Sequence, residues 1–254
     1  MVKVTSHKKK LISMLGDISD CTVLDYGCGR GDFVELLLKT DGKPQSIWAV
    51  DSSVGMIDVI NSSFMEEINN GIVVAKIVSN PEIIKDQKFN KIICHNVLEC
   101  IGDKIKFINE FDVLLADYGT FVLSHHDFDS SVFNSNHKNL TRELVHCFAD
   151  TKQNWQEYSD GQMGRKIPGL MSHSVFKDYV TCQTIRVVET EFKSGNYGYL
   201  MADMLLSIGK SRFDTNMLKE WYHDLEDLYK TNNYYFAIDL VAAIVNKGQA
   251  NINL

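Results

Sequence analysis

Hydrophobic residues in the first half of the chain alternate between short β-branched runs and longer segments with apolar residues at helical spacing. The short runs predict buried strands, because β-branched and aromatic residues fit a pleated, packed surface. The longer segments predict helices that turn one apolar face to a core. Strands are expected near 22–26, 46–51, 72–78, 90–95 and 119–125, and helices near 31–40, 54–69 and 103–116. This alternation predicts an α/β fold with a parallel sheet between helices.

The second half of the chain departs from this alternation. A polar segment over 137–180 favours helix, a strand is expected near 183–192, and two helical patterns follow it. The last apolar stretch, YYFAIDLVAAIVNK, is hydrophobic on both faces and predicts a buried strand rather than an edge strand.

Length and charge narrow the function classes. A chain of 254 residues fits one α/β domain with additions. Its net charge is −7, and it has no long Lys/Arg stripe apart from HKKK, whereas a nucleic-acid binder needs basic residues to neutralise phosphates. An RNA or DNA substrate is therefore disfavoured. The oligomeric state is left open, with a homodimer as one option.

Cysteines and apolar runs indicate the compartment. The six cysteines are scattered without a C-x-x-C pair, so we expect reduced thiols and neither a zinc site nor a disulfide framework. No run approaches the roughly 20 apolar residues that cross a bilayer. The start, MVKVTSHKKKLISML, lacks the apolar region of a secretory signal. These features predict a cytoplasmic protein without a membrane partner.

A glycine-rich turn follows the first predicted strand, in the stretch VLDYGCGRGDF at 23–33. Glycine has no Cβ, so Gly27, Gly29 and Gly31 would let the backbone approach a ligand closely. A dinucleotide fingerprint, G-x-G-x-x-G, would need glycine where Asp32 stands. The preceding acid, Asp25, suits a sulfonium or ammonium group better than a pyrophosphate.

A second acid, Asp51, ends the next strand about 20 residues beyond the turn, where a carboxylate can accept both ribose hydroxyls. At this point the chain resembles the class I S-adenosylmethionine-dependent methyltransferases, through VLDYGCGRGDF, AVDSSVGMI and FNKIICHNVLECI at their expected spacings. The resemblance implies a Rossmann-like, doubly wound, mainly parallel seven-stranded sheet with helical cap or lid insertions. It also implies S-adenosylmethionine as cofactor and S-adenosylhomocysteine as product.

The resemblance further implies which residues hold the cofactor. The turn and the end of the fourth strand would surround its methionine part, the second strand its ribose and adenine, and the third strand its adenine amino group. The residues implied for the methionine part are Asp25, Tyr26, Gly27, Cys28, Gly29, His95 and Asn96. Those implied for the ribose and adenine are Asp51, Ser52 and Met56, and those for the adenine amino group are Ser79 and Asn80. Alternatives remain, because Asp25 or Asp51 could cap a neighbouring element and Met56 could belong to the core.

The implied organisation is one methyltransferase domain with two halves. Residues 1–126 would form the cofactor-binding half, and 127–254 the remainder with the last two strands. The cap segments expected to bind the acceptor are 127–180 and 196–232.

Methyl transfer needs a base only if the acceptor must lose a proton. The fifth predicted strand ends in SHHDFD. Histidine titrates near neutral pH, so His125, His126 and Asp127 are the candidate catalytic residues. Alternatively, one of the adjacent histidines points into the fold, and Asp127 or Asp129 caps the following helix. No metal-ligand cluster of the kind used by catechol methyltransferases is evident, and we predict no metal.

A second unusual stretch, YSDGQMGRKIPGLM, predicts a shaped loop before a helix over 170–180 and is similar to an acceptor loop of some small-molecule methyltransferases. Tyr158, Asp160 and Arg165 are the candidate acceptor contacts, and an internal Asp160–Arg165 ion pair is the alternative. The residues expected to line the acceptor pocket are Phe128, Phe133, Trp155, Tyr158, Tyr197, Tyr199, Met201 and Met204.

The leading hypothesis is methylation of an oxygen, nitrogen or carbon atom of a small, aromatic or heterocyclic metabolite. A protein or tRNA methyltransferase is the second reading, and a non-catalytic partner that keeps the cofactor fold is the third.

Overall fold

The computed structural model describes residues 6–152 and 156–248, and seven strands in them form one sheet in the order β3-β2-β1-β4-β5-β7-β6. The neighbours from β3 through to β5 pair in parallel, and β7 runs antiparallel to both β5 and β6. The strands are β1 (Thr22–Tyr26), β2 (Ser46–Asp51), β3 (Val73–Ile77), β4 (Phe89–His95), β5 (Leu115–Phe133), β6 (Val180–Glu189) and β7 (Phe236–Asn246). The predicted fold class is confirmed.

The helices lie on both faces of this sheet. They are α1 (Ser6–Ser13), α2 (Asp32–Lys39), α3 (Val54–Ser63), α4 (Met65–Asn69), α5 (Lys104–Leu114), α6 (Lys138–Asp150), α7 (Met163–Ser172), α8 (Tyr197–Gly209) and α9 (Thr215–Lys230), with short 3₁₀ turns at Pro81–Ile84 and Leu98–Cys100. None of the helices in the described ranges has the length and hydrophobicity that crossing a membrane requires.

Two hydrophobic clusters form the core, one on each face of the sheet. Successive strand residues point to opposite faces, so Ile93 belongs to one cluster and Ile92 and Cys94 to the other. Apolar residues of α5 and α7 complete the cluster around Ile92. Those of α1, α2, α3, α6, α8 and α9 complete the cluster around Ile93. The segment before β1 therefore packs on the same face as the later helices.

The fifth strand is longer than predicted. It spans Leu115–Phe133, so SHHDFD lies inside the strand rather than after it. Pairing with β7 continues through Asp127 opposite Asp239, and the register shifts only between Asp127 and Val132. Polar residues in this stretch suggested a strand end, but the structure buries them and satisfies the backbone by pairing.

The helix expected over 170–180 lies earlier, at Met163–Ser172, and includes Pro168. Two glycines of this stretch, Gly161 just before the helix and Gly164 within it, mimic a loop signal but serve close packing. A Cβ on Gly164 would lie 2.8 Å from the backbone nitrogen of Asp127, and one on Gly161 would lie 2.3 Å from the carbonyl oxygen of Ala149. Only glycine allows these approaches.

Two further boundaries differ from the prediction. The helix expected over 54–69 breaks at Phe64, whose ring packs so closely on the glycine turn that a Cβ on Gly31 would lie 2.5 Å from it. The sixth strand is Val180–Glu189 rather than 183–192.

Candidate active site

The glycine turn lies where the strand order reverses, because β1 pairs with β2 on one side and with β4 on the other. Such a switch point opens a crevice beyond the carboxyl ends of the strands. Gly27, Gly29 and Gly31 all have positive φ, which favours glycine. A Cβ on Gly27 would lie 2.3 Å from a methyl group of Val97, whereas one on Gly29 would meet no described atom within 4 Å. Gly29 therefore faces open space in which a ligand can approach the backbone.

Asp51 ties the second strand to this turn. Its carboxylate accepts hydrogen bonds from the backbone N–H of Gly29 at 3.0 Å and of Ser53 at 2.9 Å. Ser53 in turn caps α3, because its hydroxyl accepts the N–H of Met56. Each carboxylate oxygen keeps a second lone pair, so both can still accept a ribose hydroxyl.

Asp25 is buried at the end of β1, with 1 % of its surface exposed. Its Oδ2 has no hydrogen-bond partner within the described part of the chain. Burial raises the pKa of Asp25 to about 8, and the nearby carboxylates of Asp51 and Asp32 add to the rise while Lys8 opposes it. A cationic ligand beside Asp25 would favour its ionised form.

The other predicted cofactor residues differ in exposure. Ser52, Ser79 and Asn80 are exposed and Met56 is half-buried, so none of the four is closed off in the core. The side chain of Tyr26 is closed off, because its ring packs against Phe107 and Phe111 of α5. Only the backbone of Tyr26 is therefore available to a ligand. Cys28 is buried in the core, and burial raises the pKa of its thiol.

Residues after β4 complete this edge of the sheet. Nδ1 of His95 lies 2.9 Å from the hydroxyl of Ser124 on β5. Asn96 has a positive φ of 54°, and its Oδ1 accepts the backbone N–H of His126 at 2.9 Å. The side-chain amide nitrogen of Asn96 also lies 3.0 Å from Nδ1 of His126. Strained backbone of this kind persists where surrounding structure holds it, often at functional sites.

A methyltransferase domain matches residues 17–203, which is most of the chain. The chain belongs to the class I S-adenosylmethionine-dependent methyltransferases. The methyltransferase uses S-adenosylmethionine as its cofactor. The site formed by Asp25, Gly29 and Asp51, hereafter the donor site, fits that cofactor. An unpartnered carboxylate oxygen of Asp25 and the open space at Gly29 suit a cationic ligand held against the backbone.

Solved structures share the fold at low sequence identity. A putative sarcosine dimethylglycine methyltransferase from Galdieria sulphuraria has a TM-score of 0.55 and 13% identity over 95% of this chain and 85% of its own. The YcgJ protein from Bacillus subtilis also has a TM-score of 0.55, with 14% identity over 95% and 98%. Geranyl diphosphate C-methyltransferase from Streptomyces coelicolor has a TM-score of 0.51 and 12% identity, over 95% of this chain and 80% of its own. No curated protein matches the sequence.

The methyltransferase has a cavity of about 400 Å³ between the residues after β4, Asn96 among them, and the helices α6 and α8. Pockets of this size and largely apolar character suit small ligands. Its lining consists of Asn96, Glu99, Phe128, Phe148, Ala149, Thr151, Gln156, Ser159, Gly161, Tyr197, Leu200, Met204, Ser207 and Ile208.

Three of the predicted lining residues, Phe128, Tyr197 and Met204, lie in this cavity. The others lie elsewhere: Phe133 lines a different cavity, Met201 is fully buried in the core, Tyr199 packs on Phe192, Tyr158 is largely exposed beside Gly102, and Trp155 falls outside the described residues. Helical spacing alone did not separate core-facing from cavity-facing positions of α8.

The two histidines expected to act as a base are fully buried within β5. Burial lowers the pKa of His125 to about 4 and that of His126 well below its ordinary value. Nδ1 of His125 lies 2.7 Å from the carbonyl oxygen of His126, to which it donates. Neither ring is among the described residues that line the cavity. A neutral imidazole with so low a pKa accepts a proton weakly at neutral pH.

Asp127 positions α7. Its two oxygens accept hydrogen bonds from Nε and Nη2 of Arg165 at 2.5 and 2.7 Å, and Oδ2 also accepts the backbone N–H of Arg165 at 3.1 Å. Arg165 also pairs with Asp129, while Asp160 pairs with Lys166. The alternative of an internal Asp160–Arg165 ion pair is therefore not realised, because each residue pairs with another partner. Arg165 acts as an anchor for the helix that carries it, and its guanidinium is already engaged.

Sequence reasoning missed Glu99, which lies in the short turn after β4 and lines the cavity. Burial, followed by the charge of Asp160, raises the pKa of Glu99 to about 7. The signal was available, since Glu99 stands in the stretch FNKIICHNVLECI that the methyltransferase resemblance rests on.

Proposed function

We propose that the methyltransferase methylates a small metabolite with an aromatic or heterocyclic body, bound in the cavity beside Asn96. The cavity is the observation that supports this proposal most directly, because Asn96, which the family resemblance assigns to the cofactor, lies in its wall, and because it combines apolar walls with a few polar groups. Phe128 and Phe148 offer ring faces, and Tyr197 and Met204 of α8 lie opposite the residues after β4. This mixture suits a flat organic acceptor.

Size and charge support a small acceptor over a macromolecule. The helices α6 and α8 pack on one another and border the cavity, which leaves about 400 Å³. A small metabolite can enter this space whole, whereas a folded macromolecule would have to insert a single side chain or base into it. The net charge of −7 also opposes the phosphate contacts of a tRNA substrate. The segments 127–180 and 196–232 thus form the acceptor half of one domain in this proposal.

Bound S-adenosylmethionine supplies an electrophilic methyl group on its sulfonium. Asp25 would face the cationic part, Asp51 would accept the ribose hydroxyls, and the open backbone at Gly29 would lie against the methionine part. Ser52 and Met56 would flank the ribose and adenine. Holding the acceptor in line with the methyl group supplies much of the acceleration.

Glu99 is the best-placed proton acceptor in this proposal. It lines the cavity, and a pKa of about 7 matches a base that works near neutral pH. Its carboxylate would take the proton that an acceptor hydroxyl or ammonium group loses, and Asp160 would keep its pKa raised. His125 and His126 fit this task less well, since their pKa values are low and their rings lie outside the cavity.

The acceptor class is tested by incubating the purified enzyme with isotope-labelled S-adenosylmethionine and three separate pools: small metabolites, total tRNA and intact protein. We expect label in the metabolite pool, located by mass spectrometry, and its loss in a variant that fills the cavity, Ser207→Trp. Asp58→Asn, on the exposed face of α3, is the matched control and should keep wild-type labelling. Labelling confined to tRNA or protein would overturn the proposal, and S-adenosylhomocysteine binding without any labelling would favour a non-catalytic partner.

A further inference from the structure

Three histidines far apart in the sequence come together beside the donor site. His7 lies on α1, His95 ends β4 and His126 lies in β5, and one ring nitrogen from each lies within 4.8 Å of the other two. The ring centroid of His126 lies 4.9 Å from that of His7 and 5.1 Å from that of His95. This cluster, hereafter the histidine triplet, was not expected, because its members are 88 and 31 positions apart along the chain.

Hydrogen bonds orient two members of the triplet. Nδ1 of His95 lies within hydrogen-bond distance of the hydroxyl of Ser124, and Nδ1 of His126 can donate to Oδ1 of Asn96 at 3.3 Å. Both bonds leave Nε2 as the free nitrogen of the ring. Metal-binding histidines show the same arrangement, in which the nitrogen that does not bind the metal is fixed by a neighbouring polar group.

Nε2 of His126 is a buried polar atom without a hydrogen-bond partner within the described ranges. Leaving such an atom unpaired costs free energy, and unpaired buried groups in native proteins often indicate an unfilled partner. A metal ion would provide that partner. His7 and His126 are both almost fully buried, so bulk water is excluded from most of the triplet.

Charge at the triplet is compatible with a cation. Histidine binds a metal ion through a lone pair of its neutral ring, and each of the three rings places one nitrogen in the cluster. The nearby Lys8 ammonium would repel a cation, but it forms an ion pair with the carboxylate of Asp32. The repulsion is thereby offset.

We propose that His7, His95 and His126 bind one divalent first-row transition metal ion, with Zn²⁺ as its representative. Imidazole suits these ions, and three protein ligands with one open position are the set found in catalytic zinc sites. Ligand nitrogens around a tetrahedral zinc lie about 3.3 Å apart, so the separations between these nitrogens would shorten by up to about 1.5 Å on binding. This proposal does not depend on the proposed acceptor.

The open position would face the acceptor cavity. The ring of Tyr197 stacks on His126 at 4.5 Å between centroids and lines the cavity, and Asn96 likewise contacts His126 and lines it. A metal ion at the triplet would therefore lie near a bound acceptor and could polarise its oxygen or nitrogen atom. It would also fasten α1 to the sheet.

The test measures metal binding by chelator-treated protein without S-adenosylmethionine, so it is independent of activity. Co²⁺ is titrated while the visible spectrum is recorded, and Zn²⁺ affinity is measured by competition with a chromophoric chelator. We expect one equivalent of Co²⁺ with the intense absorption of a four-coordinate ion. His7→Ala and His126→Ala should each weaken Zn²⁺ binding at least about 100-fold, and Asn96→Ala about 10–100-fold, the range for a group that orients a ligand.

His223→Ala is the matched control, because His223 is exposed on α9 and should leave binding unchanged. Since His126 is central to the sheet, its variant could unfold. His7 is on the first helix, and His7→Gln keeps a polar side chain there, so binding by His7→Gln decides the test if His126→Ala does not fold. Wild-type protein that binds no stoichiometric Co²⁺, or Zn²⁺ affinity that is equal in wild type and His7→Gln, would overturn the proposal.

Discussion

Arg165 on α7 binds both carboxylate oxygens of Asp127 on β5, across 38 residues of sequence. The Asp127 side chain is 4% exposed, while that of Arg165 is 47% exposed. A buried carboxylate that loses its partner is costly, because its charge is then neither solvated nor paired. This pair therefore joins the helix to the strand that carries the buried histidines.

Replacing Arg165 with alanine should destabilise the protein. Breaking a fully buried pair costs about 3–5 kcal/mol, and the exposure of Arg165 reduces our expectation to about 2–3 kcal/mol. Urea denaturation measures the free energy of unfolding. Lys166→Ala is the control, because its pair with Asp160 is more exposed and should contribute at most about 1 kcal/mol. Equal losses in the two variants would contradict the anchoring role.

Removing the Asp51 carboxylate should weaken cofactor binding. Asp51→Ala deletes the proposed ribose acceptor, and hydrogen bonds to a charged group contribute about 1.5–3 kcal/mol. Calorimetry should show a Kd for S-adenosylhomocysteine that is about 10–150-fold higher than in the wild type. Asp58→Ala, an exposed acid on α3, should bind normally. Wild-type affinity in Asp51→Ala would remove Asp51 from the donor site.

Asp25 should make cofactor affinity depend on pH. Its pKa is raised to about 8, so the carboxyl is largely protonated at pH 6 in the free protein. A bound sulfonium or ammonium group favours the ionised form, and the cofactor affinity should therefore rise between pH 6 and 8. Calorimetry across this range should show the rise in the wild type and a flat, weaker profile in Asp25→Asn.

The same group affects stability in the opposite direction. Because the folded pKa lies above the unfolded value of 3.8, the folded state binds more protons between pH 4 and 8. The free energy of unfolding in the absence of cofactor should therefore fall as pH rises through this window. Asp25→Asn should show a shallower fall. Parallel pH profiles for the wild type and Asp25→Asn would mean that the pKa of Asp25 is not raised in the folded state.

The glycine turn and the ends of the first four strands were predictable, because short apolar runs and local glycine spacing carry that information within a few residues. The polar run Ser124–Asp129 misled the prediction, since tertiary pairing with β7 and the Arg165 contact satisfy groups that look solvent-exposed in sequence. The histidine triplet was invisible for a related reason. It depends on α1 packing beside β4 and β5, and no local pattern encodes that long-range contact.

Glu99 gives the sharpest test of how protons move in the acceptor site. If its carboxylate accepts the acceptor's proton, turnover at saturating acceptor should rise with pH through about 7, the pKa to which burial and Asp160 raise it. Glu99→Gln cannot accept a proton, so turnover should fall about 10²–10⁴-fold and lose this pH limb, while S-adenosylhomocysteine affinity is kept. Asp160→Asn removes the repelling charge, and the rise in turnover should therefore occur at lower pH. Glu66→Gln, an exposed acid on α4, is the matched control. An unchanged rate and pH profile in Glu99→Gln, together with a loss of turnover in His125→Gln or His126→Gln, would return the role of base to the buried histidines.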